Sequence, residues 1–178
     1  MGKIKEPPPV KLIASIFTAD ETLLAVARGA LANRFGPIDY QSELLPFNHT
    51  TYYAREFGEG LVRQIVAFTE LVPPDRLAEI KRITNDLEMT WAVEGRRRVN
   101  VDPGYVSLGK LVLATTKDYS HRIYLGQGIY AEVTLQYRHG AFHPWEWTYP
   151  DYASPRYIEI FTEIRRIYVA QLRGAKSP

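Results

Sequence analysis

The chain has 178 residues, 46% apolar and 24% charged, which suits one domain with a real core and excludes a mainly disordered protein. Lys and Arg number 22 against 20 Asp and Glu, so charge alone calls for no nucleic-acid partner, and the lack of cysteine excludes disulfides, thiolate metal sites and cysteine nucleophiles. No run reaches the roughly 20 apolar residues of a membrane span, and the start MGKIKEPPPV lacks a signal peptide's apolar segment, so a cytoplasmic protein without a membrane partner is expected.

Residues 1–9, ending in Pro7-Pro8-Pro9, read as an extended N-terminal arm. Val10 to Phe17 is an apolar, β-branched run and predicts a strand. Thr18 and Glu21 have capping-box spacing, so a helix is expected with Thr18 as N-cap, an apolar stripe through Leu23, Leu24, Ala27, Ala30, Leu31 and Phe35, and a stop at Gly36-Pro37. Ile38 to Phe47 reads as a second strand, Asn48 to Gly60 as a loop or short helical turn, and Leu61 to Leu71 as a third strand. Pro73-Pro74 opens a second helix, with Leu77, Ile80, Ile83, Thr84, Leu87 and Trp91 at helical spacing, and Arg97 to Asp102 is the fourth strand. The order β-α-β-β-α-β over residues 10–102 predicts a ferredoxin-like core with both helices on one sheet face.

Asp102-Pro103-Gly104-Tyr105 reads as a turn. Lys110 to Thr116 (KLVLATT) is apolar on both faces and predicts a central strand, while Arg122 to Leu125 and Ile129 to Tyr137 alternate about Gly126-Gln127-Gly128 and predict a hairpin. These are about three antiparallel strands extending the core. His139 to Tyr152 is too rich in Pro and aromatics for a regular element, and Ser154-Pro155 starts a closing helix striped by Tyr157, Phe161, Ile164, Tyr168 and Leu172. The fold class is therefore α+β: a single domain over 10–173, with 10–102 as the ferredoxin-like half and 103–173 as strand extension and closing helix.

The segments PVKL (9–12), FGPID (35–39), LLPFNHTTYY (44–53), IKRITNDLE (80–88), RVNVDPGY (98–105), KLVLATTKDYSHRIYL (110–125), GIYAEVTLQY (128–137) and WTYPDY (147–152) resemble the bacterial family catalogued as domain of unknown function 4416. The resemblance spans nearly the whole chain and implies an intact family member without implying an activity. Some similar proteins carry a GTP-binding label. The residues do not supply a P-loop: Gly109-Lys110 is followed by Leu111 and lacks the preceding glycine spacing.

Charge and hydroxyl chemistry concentrate between Arg97 and Tyr137. Lys110, Thr116, Lys117 and Arg122 are the group types that hold phosphate oxygens, with Glu132 placing the ligand. His121 and Asp102 are the candidate acid or base, since neighbouring charges tune either. The structural alternatives are a cross-strand Arg122–Glu132 ion pair and an Asp102 that merely forms a turn. His49, His121, His139 and His143 stand in no HxH or HExxH spacing, so no metal site is assigned, and the cofactor stays open. Tyr105, Tyr119, Tyr124 and Tyr130 interleave with arginines, which keeps a non-enzymatic RNA-binding or protein-interaction module as the competing class beside a phosphate-bearing small molecule such as a nucleotide. Oligomeric state is not legible.

Overall fold

The computed structural model of the protein describes residues 2–47, 57 and 60–174. Strand β1 (Val10–Thr18) is buried along its whole length, as its continuous apolar run requires. It is followed by helix α1 (Glu21–Phe35), the short strands β2 (Ile38–Gln41) and β3 (Leu45–Pro46), and β4 (Val62–Val72). A single 3-10 turn (Pro74–Arg76) leads into α2 (Leu77–Thr90). Then come β5 (Val99–Val106), β6 (Lys110–Thr115), β7 (Ile123–Gly126), β8 (Ile129–Arg138), β9 (Ala141–Pro144) and α3 (Pro155–Gly174).

The strands form one sheet in the order β2-β4-β1-β5-β6-β8-β7, with β3 also on β4 and β9 also on β8, and every pair is antiparallel. The fold is α+β. Helix α1 buries Leu23, Leu24, Ala27 and Leu31 against Leu12, Ala14, Ile16, Val66 and Phe68, and α2 adds Ile80 to the same cluster. Toward β6 and β8, α2 buries Leu77 and Ala78 against Val112, Ala114 and Ile129. The opposite face is taken largely by α3, whose Tyr157, Ile160, Phe161 and Ile164 pack on Ile13, Ile65, Ala67, Leu111 and Leu135. Each fully buried Leu, Ile, Val or Phe among these contributes about 1.5–3 kcal/mol.

Four local expectations change. Asp20 caps α1, accepting from Leu23 N at 3.0 Å, because the Thr18 hydroxyl is committed to Arg98 O at 2.7 Å and also accepts from Asp20 N. The single strand expected over 38–47 is two short ones, which pair with successive stretches of β4. Asp102-Pro103-Gly104-Tyr105 is no turn but the middle of β5, so the division of the chain at 102/103 falls inside a strand. The stretch 139–152 contains β9, because His139 (φ 50) and Gly140 (φ 83) both adopt positive φ and make a tight turn back onto β8. The loop or helical turn expected over 48–60 lies, but for Phe57 and Gly60, outside the described residues.

Candidate functional site

Strand β5 pairs with β1 over all eight of its residues but with β6 only from Gly104 to Val106. The sheet therefore forks. Alternate residues of an antiparallel strand present their N–H and C=O to the same neighbour, so positions 101, 103 and 105 face β6, and at the fork Pro103 has no N–H to give. Gly104 lets the strands meet: a Cβ there would lie 2.3 Å from Val112 O and 2.7 Å from Leu113 Cδ2. Beyond the fork, the buried polar groups of Val101 still need partners. Two side chains of α2 supply them, Glu88 Oε1 accepting from Val101 N at 2.7 Å and Lys81 Nζ donating to Val101 O at 2.9 Å.

The fork opens a cleft of about 760 Å³, lined from β4, α2, β5, β6, β8 and the segments after β6 and β9. On one wall Asp102 accepts from Lys81 Nζ (3.1 Å) and Asn100 Nδ2 (2.8 Å), while Arg97 donates to Glu88 Oε2 and Asn100 Oδ1, both at 3.1 Å. On the other, Glu132 Oε2 accepts from Arg122 Nε (2.9 Å) and meets His121 Nε2 (3.0 Å), and its Oε1 accepts from Thr134 Oγ1 (3.2 Å). Arg122 also donates to Lys117 O at 3.1 Å and lies 4.4 Å from the Tyr119 ring centre. At the inner end Arg63 donates to Asp151 Oδ2 at 2.5 Å, with its guanidinium 4.0 Å from the Phe47 ring centre and within 6.0 Å of those of Phe17, Tyr152 and Tyr157.

Of the residues singled out from sequence, Asp102, Thr116, Lys117, Arg122 and Glu132 line this one cleft. Lys110 does not. It begins β6, and the five residues to Thr115 carry it about 16 Å away along the strand. His121 lies behind Glu132 rather than on the lining, stacked on Trp147 with ring centres 5.3 Å apart. The Arg122–Glu132 ion pair is present, with both side chains 4% exposed. Among the described residues no group of three or more His, Asp or Glu could hold a metal ion. His143 approaches Arg138 O at 3.2 Å, and His49 is outside the described residues. Sequence reasoning missed Arg63, Lys81 and Glu88. Lys81, Thr84 and Glu88 are buried on α2 at helical spacing, a polar stripe that was the available signal for two of them.

A family model described as a domain of unknown function (DUF4416) matches residues 8–168. The chain belongs to the DUF4416 family. No curated protein and no solved structure matches it. The DUF4416 match takes in every residue named on the cleft walls.

Within this DUF4416 protein, burial raises the pKa of Glu88 above its ordinary value, against the lowering influence of Lys81 and of the Val101 N–H. A carboxyl whose folded pKa is raised binds more protons folded than unfolded, so its contribution to stability falls as pH rises from the ordinary carboxylate pKa through the raised one. Glu88→Gln is therefore expected to lose less stability than the wild type across that window. Urea unfolding of both proteins at a series of pH values checks this, and parallel curves would contradict it.

Proposed function

We propose that the β5–β6 cleft binds a phosphate-bearing small molecule of nucleotide size. The observation that carries the reading is the lining itself: five cations, Arg63, Lys81, Arg97, Lys117 and Arg122, face four carboxylates, Glu88, Asp102, Glu132 and Asp151, in a space of about 760 Å³. That volume falls in the range of small-molecule sites, roughly 300–1,000 Å³. Lys117 follows directly on Thr115 and Thr116 where β6 ends, and the corner is braced by Thr115 Oγ1, which accepts from Lys117 N at 3.2 Å, and by Arg122 on Lys117 O. Two hydroxyls, a corner of backbone and a flexible ammonium suit phosphate oxygens. Tyr149, about half exposed on the rim, offers a flat face to a base or sugar. Asp102, which accepts from Lys81 and Asn100, is the candidate proton acceptor in this reading.

Saturating nucleoside mono-, di- or triphosphate is expected to raise the unfolding midpoint by about 5–10 °C, the shift that corresponds to a ligand at about 100 times its Kd in a domain of this size. Lys117→Ala should weaken binding by tenfold or more without lowering the midpoint of the free protein, since Lys117 is exposed. Arg122→Ala is less clean, because it also removes the Glu132 pair. No shift with any nucleotide or with inorganic phosphate would refute the reading.

One observation favours the second reading, a non-enzymatic RNA-binding module. Tyr119, His121, Trp147 and Trp145 form a row of rings with successive centres 5.9, 5.3 and 5.0 Å apart. The row ends in Tyr119 and Trp145, whose 50% and 36% exposure leaves surface for an unpaired base. Binding of oligoribonucleotides with a steep salt dependence, and no response to mononucleotides, would select it.

A further inference from the structure

Arg63 brings five N–H donors to the inner end of the cleft and is 5% exposed there. Its place is fixed by the register of β4, which sets it between Phe17 of β1 and Leu45 of β3. Among the described residues Nη1 makes the hydrogen bonds that Arg63 has, to Asp151 Oδ2 at 2.5 Å and to Tyr157 Oη at 3.5 Å. Nε is buried and has no partner. The edge left over is the one on which Nε–H and an Nη2–H point the same way, the parallel pair of donors that a carboxylate or phosphoryl group takes side-on. Phe47 and Phe17 attract the cation through their rings but bring no oxygen to that edge. Arg122, the other buried arginine of the cleft, shows what purely structural use looks like: its Nε is on Glu132 and its Nη1 on Lys117 O. A buried charged donor left unmade is costly, and in Arg63 it borders a cleft that admits a ligand.

We infer that Arg63 determines the specificity of the cleft, taking a second oxyanion of the ligand side-on through Nε and Nη2. The preferred ligand then carries two separate anionic groups, a phosphate at the exposed Lys117 corner and a carboxylate or phosphoryl group at the inner end. This assignment rests on the phosphate-ligand reading of the cleft. Asp151 does not compete for the free edge: its Oδ2 is on Nη1 and its Oδ1 accepts from Tyr152 N at 2.8 Å.

Two matched pairs of probes test it by isothermal titration of the full chain. Orotidine 5′-monophosphate adds a carboxylate to uridine 5′-monophosphate, and adenosine 3′,5′-bisphosphate adds a phosphate to adenosine 5′-monophosphate. In one pair the member with two oxyanions is expected to bind about tenfold or more tighter, the worth of hydrogen bonds to a charged group, and the pair that responds tells carboxylate from phosphate. Arg63→Lys keeps a cation for Asp151 but has no side-on edge, so it should bring both members of that pair to the same affinity. Lys117→Ala should weaken both members alike. Should Arg63→Lys fail to fold, the Nε–H magnetic resonance signal of wild-type Arg63 is the readout, expected to move with the two-oxyanion probe and to stay in place with its partner. Equal affinities within both pairs, a preference that survives Arg63→Lys, or an Nε–H signal indifferent to the probe overturns the inference and leaves the phosphate reading standing. Binding of none of the four probes sinks the phosphate reading, and this inference with it.

Discussion

Arg63→Ala is expected to lower stability by about 3–5 kcal/mol and the unfolding midpoint by about 10 °C or more. Arg63 and Asp151 are 5% and 7% exposed, so truncating the arginine leaves a poorly hydrated carboxylate without its counter-charge at the inner end of the cleft. Asp151 keeps one bond, from Tyr152 N to Oδ1 at 2.8 Å, which does not compensate for its lost partner. The same guanidinium fills the space between Phe17, Phe47, Tyr152 and Tyr157, so packing and ring–cation attraction go with it. Arg63→Met, which restores volume but not charge, should recover part of the packing loss. Adding Asp151→Asn to it should recover more, because the orphaned charge is removed. Urea unfolding of the three variants separates these contributions, and equal stability for Arg63→Ala and wild type would show that the pair carries no weight.

The second large effect is expected at the fork. Gly104→Ala puts a methyl group 2.3 Å from Val112 O, a backbone atom of β6 that cannot rotate aside, and 2.7 Å from Leu113 Cδ2, which can. Relief requires β5 and β6 to separate where they first pair, at a cost of about 3 kcal/mol by the usual penalty for forcing atoms into a packed interior. Gly109→Ala is the control, since nothing lies within 4 Å of its Cβ position. Chemical denaturation should show a clear loss for the first and almost none for the second. Similar midpoints for the two would mean that the strands part easily at Gly104.

Elements whose packing face is set by local pattern were readable in the sequence. Leu23, Leu24, Ala27 and Leu31 place α1, and KLVLATT is β6 in all but its last residue, flanked by β5 and β8. Asp102-Pro103-Gly104 was misread because turn chemistry and fork chemistry use the same residues. Proline fits where a ladder donor is not needed and glycine where another backbone comes close, and neither use shows in composition. The grouping of residues was legible in part: Asp102 on β5 and Glu132 on β8 reach one cleft through the sheet, whereas Thr116, Lys117 and Arg122 reach it from the segment between β6 and β7. It failed for Lys110, which is near Thr116 in sequence but at the far end of the same strand. It failed again for Lys81 and Glu88, because polar positions of an amphipathic helix are normally assigned to solvent and only the forked sheet turns them inward.

The substitution of α2 side chains for a strand at Val101 bears on how this side of the sheet is held. A run of paired strand comes apart cooperatively, since each backbone bond constrains the next, whereas Lys81 and Glu88 are held by their own rotamers and can let go one at a time. The ladder on this side of β5 is therefore interrupted at Val101 without weakening the other side, where β5 stays paired with β1 along its full length.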